Sequence, residues 1–242
     1  MRDSDSRGNC SIKSPTNPES QRESLPFLMP LTMFPAMPNI FTKRVLARFT
    51  RQVPELEEIM SSKRLELDPS NESPFDMLVR SIVYQQLSGK AARTILDRLI
   101  VLVGEITPDA ILSKTEDELR SVGLSRQKAS YVQNVARAFG KGGSLEEYNA
   151  TEALKGLSTE QMIQLFTEIK GVGEWTVQMY LIFGLGRLDV LSPGDLGVRK
   201  GVMKLYGLDE LPTPGEVKKI AEKWHPLETV GTCLAWSVLR ED

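Results

Sequence analysis

The chain has 242 residues, of which 40% are hydrophobic and 26% charged, with a net charge of −2 and an isoelectric point near 5.7. These values suit a globular protein of one large or two small domains, and no apolar run reaches the ~20 residues that a membrane helix needs. Two cysteines, Cys10 and Cys233, are too few for a disulfide framework or a four-thiolate iron–sulfur cluster, and the single histidine, His225, excludes a histidine-rich metal site. The mild acidity weakens non-specific attraction to nucleic acid but leaves room for a local basic patch.

Residues 1–40 read as a disordered or weakly ordered arm. Ser, Pro, Asn and Arg dominate as far as Ser24, and the apolar LPFLMPLTMFPAMP that follows is broken by prolines. No signal or transit pattern is evident. From Phe41 the chain is a succession of helix starts. Ser73-Pro74 and Thr107-Pro108 each pair a capping hydroxyl with proline at the first helical position. Thr115 with Glu118, Ser158 with Gln161 and Thr213 with Glu216 have the spacing of capping boxes. Val132, Val135, Ala136 and Phe139 form a helical stripe, as do Met162, Leu165, Phe166 and Ile169. No alternating run of strand length competes, so the expected fold is all-α, with about eight to ten helices.

The stretch from Ile169 to Arg199 is the most informative. A tight loop, Gly171-Val172-Gly173, separates two helical patterns, and the second, Trp175 to Phe183, is apolar enough for a buried helix. The loop Leu191-Ser192-Pro193-Gly194 then leads to Asp195 and a third helical pattern. Two glycines allow a sharp turn and close approach to another molecule. A helix N-terminus behind such a turn presents N–H groups that suit a phosphate.

The hairpin KGVGEWT followed at this spacing by SPGDLGVRKG resembles the helix-hairpin-helix plus Gly/Pro-Asp superfamily of DNA glycosylases, and within it the DNA-3-methyladenine, or alkyl-base, subgroup. The resemblance runs from about Phe41 to the C-terminus. It implies the compact form of the glycosylase fold over residues 41–242, without an N-terminal sheet domain. By motif, Asp195 matches the catalytic aspartate. Cleavage of an N-glycosidic bond builds positive charge on the sugar, which a fixed carboxylate stabilises; the same carboxylate can take a proton from the attacking water. Trp175 stands where bifunctional relatives place a nucleophilic lysine, so the resemblance implies a monofunctional enzyme, with Trp175 lining the base pocket. Trp236 matches a second pocket tryptophan, and Tyr84 and Tyr180 are lesser pocket candidates. Aromatic faces attract the cationic 3-methyladenine and 7-methylguanine.

SIVYQQLSGKAA resembles the loop that enters the DNA minor groove, with Gln85, Gln86, Leu87 and Ser88 at its tip and Gln86 or Leu87 as the wedge. Further DNA contacts are expected from Gly171, Val172 and Gly173, from Lys170 (or else a solvated side chain), from Arg126 and Lys128, and from Arg199 and Lys200. The chain departs from the family where Glu228 follows Trp224-His225-Pro226-Leu227 in place of an arginine, and where Cys233 replaces an aromatic residue. Both departures bear on the expected pocket shape. The implied partner is double-stranded DNA with alkylated bases, bound by a monomer, with no membrane and with an abasic-site endonuclease acting downstream. No metal or iron–sulfur cluster is implied, although the resemblance is compatible with a monovalent cation at the hairpin. The implied location is intracellular, nuclear in a eukaryote and cytoplasmic in a prokaryote. The competing reading is a non-catalytic damaged-DNA-binding module of the same fold.

Overall fold

The computed structural model describes residues 38–70 and 72–240. The expected arm therefore lies outside the described residues except for its last three. There, the Asn39 side chain accepts the N–H groups of Phe41 at 2.9 Å and Leu67 at 3.1 Å. Among the described residues there is no strand, and no helix is long and apolar enough to cross a membrane.

Twelve α-helices follow one another among the described residues: α1 (Lys43–Gln52), α2 (Glu57–Ser62), α3 (Pro74–Tyr84), α4 (Gly89–Val103), α5 (Pro108–Leu112), α6 (Glu116–Ser121), α7 (Arg126–Phe139), α8 (Thr159–Thr167), α9 (Glu174–Met179), α10 (Leu196–Tyr206), α11 (Pro214–Ala221) and α12 (Glu228–Ser237). The count exceeds the expected eight to ten because α2, α5, α6 and α9 have only five or six residues each. Helices that short show barely one repeat of an apolar stripe. The polar start signals behave as expected. Ser73 and Thr107 cap α3 and α5, each with proline in the first turn. All three capping boxes close reciprocally, at α6, α8 and α11.

Helix α3 is the hub. Every one of its residues is buried, and it packs against α4, α7 and α9. An aromatic ladder runs beside it: Phe75, Phe139, Phe166 and Tyr180 have successive ring centroids 6.0, 5.9 and 6.1 Å apart, joining α3, α7, α8 and the end of α9. Beyond Met179 the helix widens into a π-turn, Tyr180–Gly184, with the Leu185 N–H bonded to the Tyr180 carbonyl at 3.0 Å. Such turns aim side chains that a regular helix would place elsewhere; here the π-turn carries Phe183. On the other side, α10 crosses α12 so closely that a Cβ at Gly201 would come 2.0 Å from the Ala235 carbonyl oxygen. Only glycine fits that crossing.

The buried face of α3 also carries charge. Arg80 grips Asp76 with two hydrogen bonds, 2.8 and 3.1 Å long, and Glu72 is buried nearby. Burial raises the carboxyl pKa values of both Asp76 and Glu72, against the lowering effect of Arg80. Acids raised in this way favour folding while protonated. Their contribution is complete below the ordinary values of 3.8 and 4.5 and is lost as pH rises through the folded ones. Removing the cation alone leaves uncompensated buried charge. Arg80→Met is expected to cost about 3–5 kcal/mol at pH 7, and less at pH 4, where acid neutralises the abandoned carboxyls. Urea unfolding at the two pH values checks both the size and the sign.

Candidate active site

Asp195 is the N-cap of α10, and its Oδ1 accepts the Val198 N–H at 2.8 Å. Capping is one of three duties of the same carboxylate. The Trp236 indole N–H donates to Oδ1 at 2.9 Å, and the Trp175 indole N–H donates to Oδ2 at 2.8 Å. One carboxylate thereby ties together α9, α10 and α12, with each oxygen held from a defined direction.

The approach to Asp195 is fixed as firmly. Arg187 grips Asp189 through two hydrogen bonds, 3.0 and 2.9 Å long, and reaches the Leu157 carbonyl at 3.0 Å. The Val190 N–H donates to the Thr229 hydroxyl at 3.1 Å. Ser192, fully buried, donates to the Gln178 side-chain oxygen at 2.8 Å, while the Gln178 amide donates to Glu174 at 2.8 Å. The Asp195 N–H closes the turn onto the Ser192 carbonyl at 3.2 Å.

Asp195 lies in a cleft of about 1050 Å³. Trp175, Trp236, Phe183, Met179 and Tyr84 give it apolar walls; Gln85, Gln86 and Leu87 form part of its rim, and Lys200, Lys218 and Arg240 also line it. Phe183 stacks on Trp236 with centroids 5.8 Å apart and planes 18° apart. One face of the Trp236 indole is therefore occupied and its N–H edge is committed to Asp195. This is the arrangement of a flat ring clamped in place beside a fixed negative charge.

The hairpin glycines do different jobs. Gly171 has φ +109°, and a Cβ there would lie 2.2 Å from the Tyr131 ring. Gly173 has an ordinary φ of −95° and open space where a Cβ would point. As N-cap of α9 it offers no side-chain acceptor, leaving the first backbone N–H groups of that helix without a side-chain cap. Lys170 is exposed, and its carbonyl accepts the Asn134 amide at 3.1 Å.

Several sequence expectations need correction. Tyr180 is fully buried on the aromatic ladder and does not line the cleft; burial also pushes its hydroxyl pKa up. The Lys128 ammonium, expected to reach a phosphate, donates to the carbonyls of Val83 at 2.8 Å and Gln85 at 2.7 Å. The Arg199 guanidinium donates to the Pro212 carbonyl at 2.7 Å. Arg126 remains largely exposed, 3.5 Å from Glu116. Glu228 and Cys233 do not line the cleft, although both lie on α12 with Trp236. Glu228 pairs with His225 at 2.9 Å. Ser88 caps α4 through the Ala91 N–H at 3.4 Å. The sequence reading missed Phe183, Gln178 and Ser192. Phe183 had no periodic signal because the π-turn aims it, and the Gln178–Ser192 bond joins residues 14 apart across a loop.

Residues 79–226 match the family described as HhH-GPD superfamily base excision DNA repair protein. The DNA-3-methyladenine glycosylase 1 of Schizosaccharomyces pombe is 33% identical over 184 residues, spanning 75% of this chain and 79% of the relative. Among solved structures, the DNA-3-methyladenine glycosidase of Bacillus halodurans superposes with a TM-score of 0.70 at 32% identity, covering 82% of this chain and 89% of that one. The S. pombe 3-methyladenine DNA glycosylase in complex with abasic DNA gives 0.69 at 29% identity, covering 80% and 95%.

The two hairpin glycines separate in a stability experiment. Gly171→Ala forces a left-handed φ and a ring overlap, an expected loss of about 1–3 kcal/mol. Gly173→Ala meets nothing and is expected to stay within about 1 kcal/mol of wild type. Equal losses in chemical denaturation would contradict the division of roles.

Proposed function

This chain belongs to the HhH-GPD superfamily of base excision DNA repair proteins, and from that premise we propose that it is a monofunctional DNA glycosylase for alkylated purines. The observation that carries the reading is the Asp195 carboxylate, held by one backbone and two indole N–H groups at the end of an aromatic cleft. The substrates proposed are 3-methyladenine and 7-methylguanine in duplex DNA, acted on by the single domain spanning 41–242.

The chemistry follows from the charges. An alkylated purine carries a positive charge, so the bond from its ring nitrogen to C1′ breaks with the electron pair leaving on the base, which becomes neutral. Positive charge passes to the sugar, where Asp195 stabilises it. Water then bonds to C1′, and its proton is lost to Asp195 or to solvent. The indole donors prevent the carboxylate from turning away, so little reorganisation accompanies the developing charge. Rings such as Trp175, Trp236 and Tyr84 favour a cationic base over a neutral one by roughly 0.5–2 kcal/mol.

A base inside a duplex must leave the stack to reach this cleft. Gln86 and Leu87 stand at the rim as candidates to fill the gap, and the hairpin N–H groups behind Gly173 suit a phosphate. Trp175 supplies no amine, so an intact abasic strand is the proposed product. An abasic-site endonuclease would act on it next, in whichever compartment holds the genome, the nucleus of a eukaryote or the cytoplasm of a prokaryote.

Asp195→Asn keeps the size of the side chain but loses the charge. Base release from alkylated duplex is expected to fall by at least ~100-fold, with DNA binding retained and no strand cleavage before alkali. Full activity in this variant would overturn the assignment. Trp236→Phe tests the clamp separately, since it keeps a smaller aromatic face and removes the N–H donor to Oδ1. It is expected to lower the single-turnover rate by about 10-fold, the worth of one charge-assisted hydrogen bond, with little change in the affinity for abasic DNA. A loss in affinity alone would show that the ring acts by stacking.

A further inference from the structure

The Lys128 ammonium has no part in the chemistry at Asp195, yet it is half-buried and has two short bonds. It lies in the first turn of α7 and donates to the carbonyls of Val83 and Gln85, at 2.8 and 2.7 Å. Those carbonyls belong to the C-terminal end of α3, where the last C=O groups of a helix have no intrahelical donor and a cation is favoured. The next residue, Gln86, has φ +57°, the only non-glycine with positive φ among the described residues. Leu87 follows, with 38% of its surface exposed, and Ser88 then starts α4. So a lysine from a distant helix caps α3 immediately before a strained residue and an exposed leucine on the cleft rim.

Helix α7 braces the second loop as well. Asn134 donates to the Lys170 carbonyl at 3.1 Å, and Tyr131 fills the space against Gly171. The loop 85–87 and the hairpin 170–173 are thus mounted on one helix at fixed spacing.

From this we infer that Lys128 is a positioning residue: it holds the Gln86–Leu87 loop in the conformation that enters DNA when a base is extruded, and it is not a phosphate contact. The inference rests on the glycosylase reading above. Desolvation, which lowers the Lys128 pKa, accords with an ammonium committed to protein carbonyls rather than to solvent. An unmet carbonyl pair would free Gln86 to leave its strained left-handed conformation.

The test compares Lys128→Met, which keeps the stem and removes the donors, with Lys128→Arg, which keeps a cation that can cap the same carbonyls. Hydrogen exchange of the free protein reads the loop without any activity. Amides 86–88 are expected to exchange at least ~10-fold faster in Lys128→Met and near the wild-type rate in Lys128→Arg. Unchanged exchange in Lys128→Met would overturn the inference, as would faster exchange spread evenly over α3, α4 and α7, which would mark Lys128 as a general fold residue.

Single-turnover release of 3-methyladenine is measured alongside, with wild type as the control, so that an inactive wild type would count against the glycosylase reading while the exchange result still judges Lys128. Release from duplex is expected to fall about 10- to 100-fold in Lys128→Met, and release from alkylated single strands much less, since no gap needs filling there. The salt slope of abasic-duplex binding is expected to be unchanged; a slope reduced by about one, with the release rate of bound DNA intact, would identify a phosphate contact instead. In a Gln86→Ala/Leu87→Ala background the Lys128→Met effect on duplex should vanish, and a full additive loss would contradict action through the loop.

Discussion

The carboxylate of Asp195 is where the fold and the chemistry meet. It is a helix cap, an acceptor for two indoles and a negative charge held in the aromatic cleft. Each role constrains the others. The cap fixes the backbone of α10, the indoles fix the carboxylate torsion, and the torsion decides which oxygen faces the space where a sugar would lie. A carboxylate with three N–H partners has little rotational freedom left to lose on binding substrate, a form of preorganisation that favours electrostatic stabilisation over solvent reorganisation.

This arrangement changes how the two tryptophans are understood. A pocket tryptophan is usually valued for its face. Here the edges of Trp175 and Trp236 are equally committed, and one face of Trp236 is stacked on Phe183. Wall and anchor are one set of side chains, so a substitution that reshapes the pocket also disturbs the charge. The hub helix α3 plays a comparable double part. It carries the buried Arg80–Asp76 pair, and at its C-terminal end Lys128 from α7 caps the Val83 and Gln85 carbonyls just before the left-handed Gln86.

Local signals in the sequence were legible because they act over a few residues. Capping boxes, proline starts and the glycine hairpin all depend on neighbours within about one turn, and each took the form its spacing implied. Glu174 and Trp175, which follow the Gly171–Gly173 loop, and the Pro193-Gly194-Asp195 turn line the same cleft. What could not be read were partnerships across long separations. Lys128 lies 45 residues from Val83, and Trp236 lies 41 from Asp195. A lysine near a helix start looks the same in sequence whether it reaches a phosphate or a carbonyl. Tyr180 and Phe183 were indistinguishable as aromatic residues of one apolar run, and only the π-turn sends one to the core and the other to the cleft.

The crossing of α10 and α12 has a consequence of its own. With Gly201 against the Ala235 backbone, the two helices meet at a separation that no side chain mediates. The end of the cleft is in effect a rigid calliper, its opening set by main-chain contact, with Asp195 on one jaw and Trp236 on the other. Variants seeking a wider range of bases therefore have little to gain at this crossing, where any added atom springs the jaws apart and parts the charge from its anchor. Adaptable width is confined to the rim, at residues such as Leu87, Lys218 and Arg240, where side chains and not backbones form the boundary.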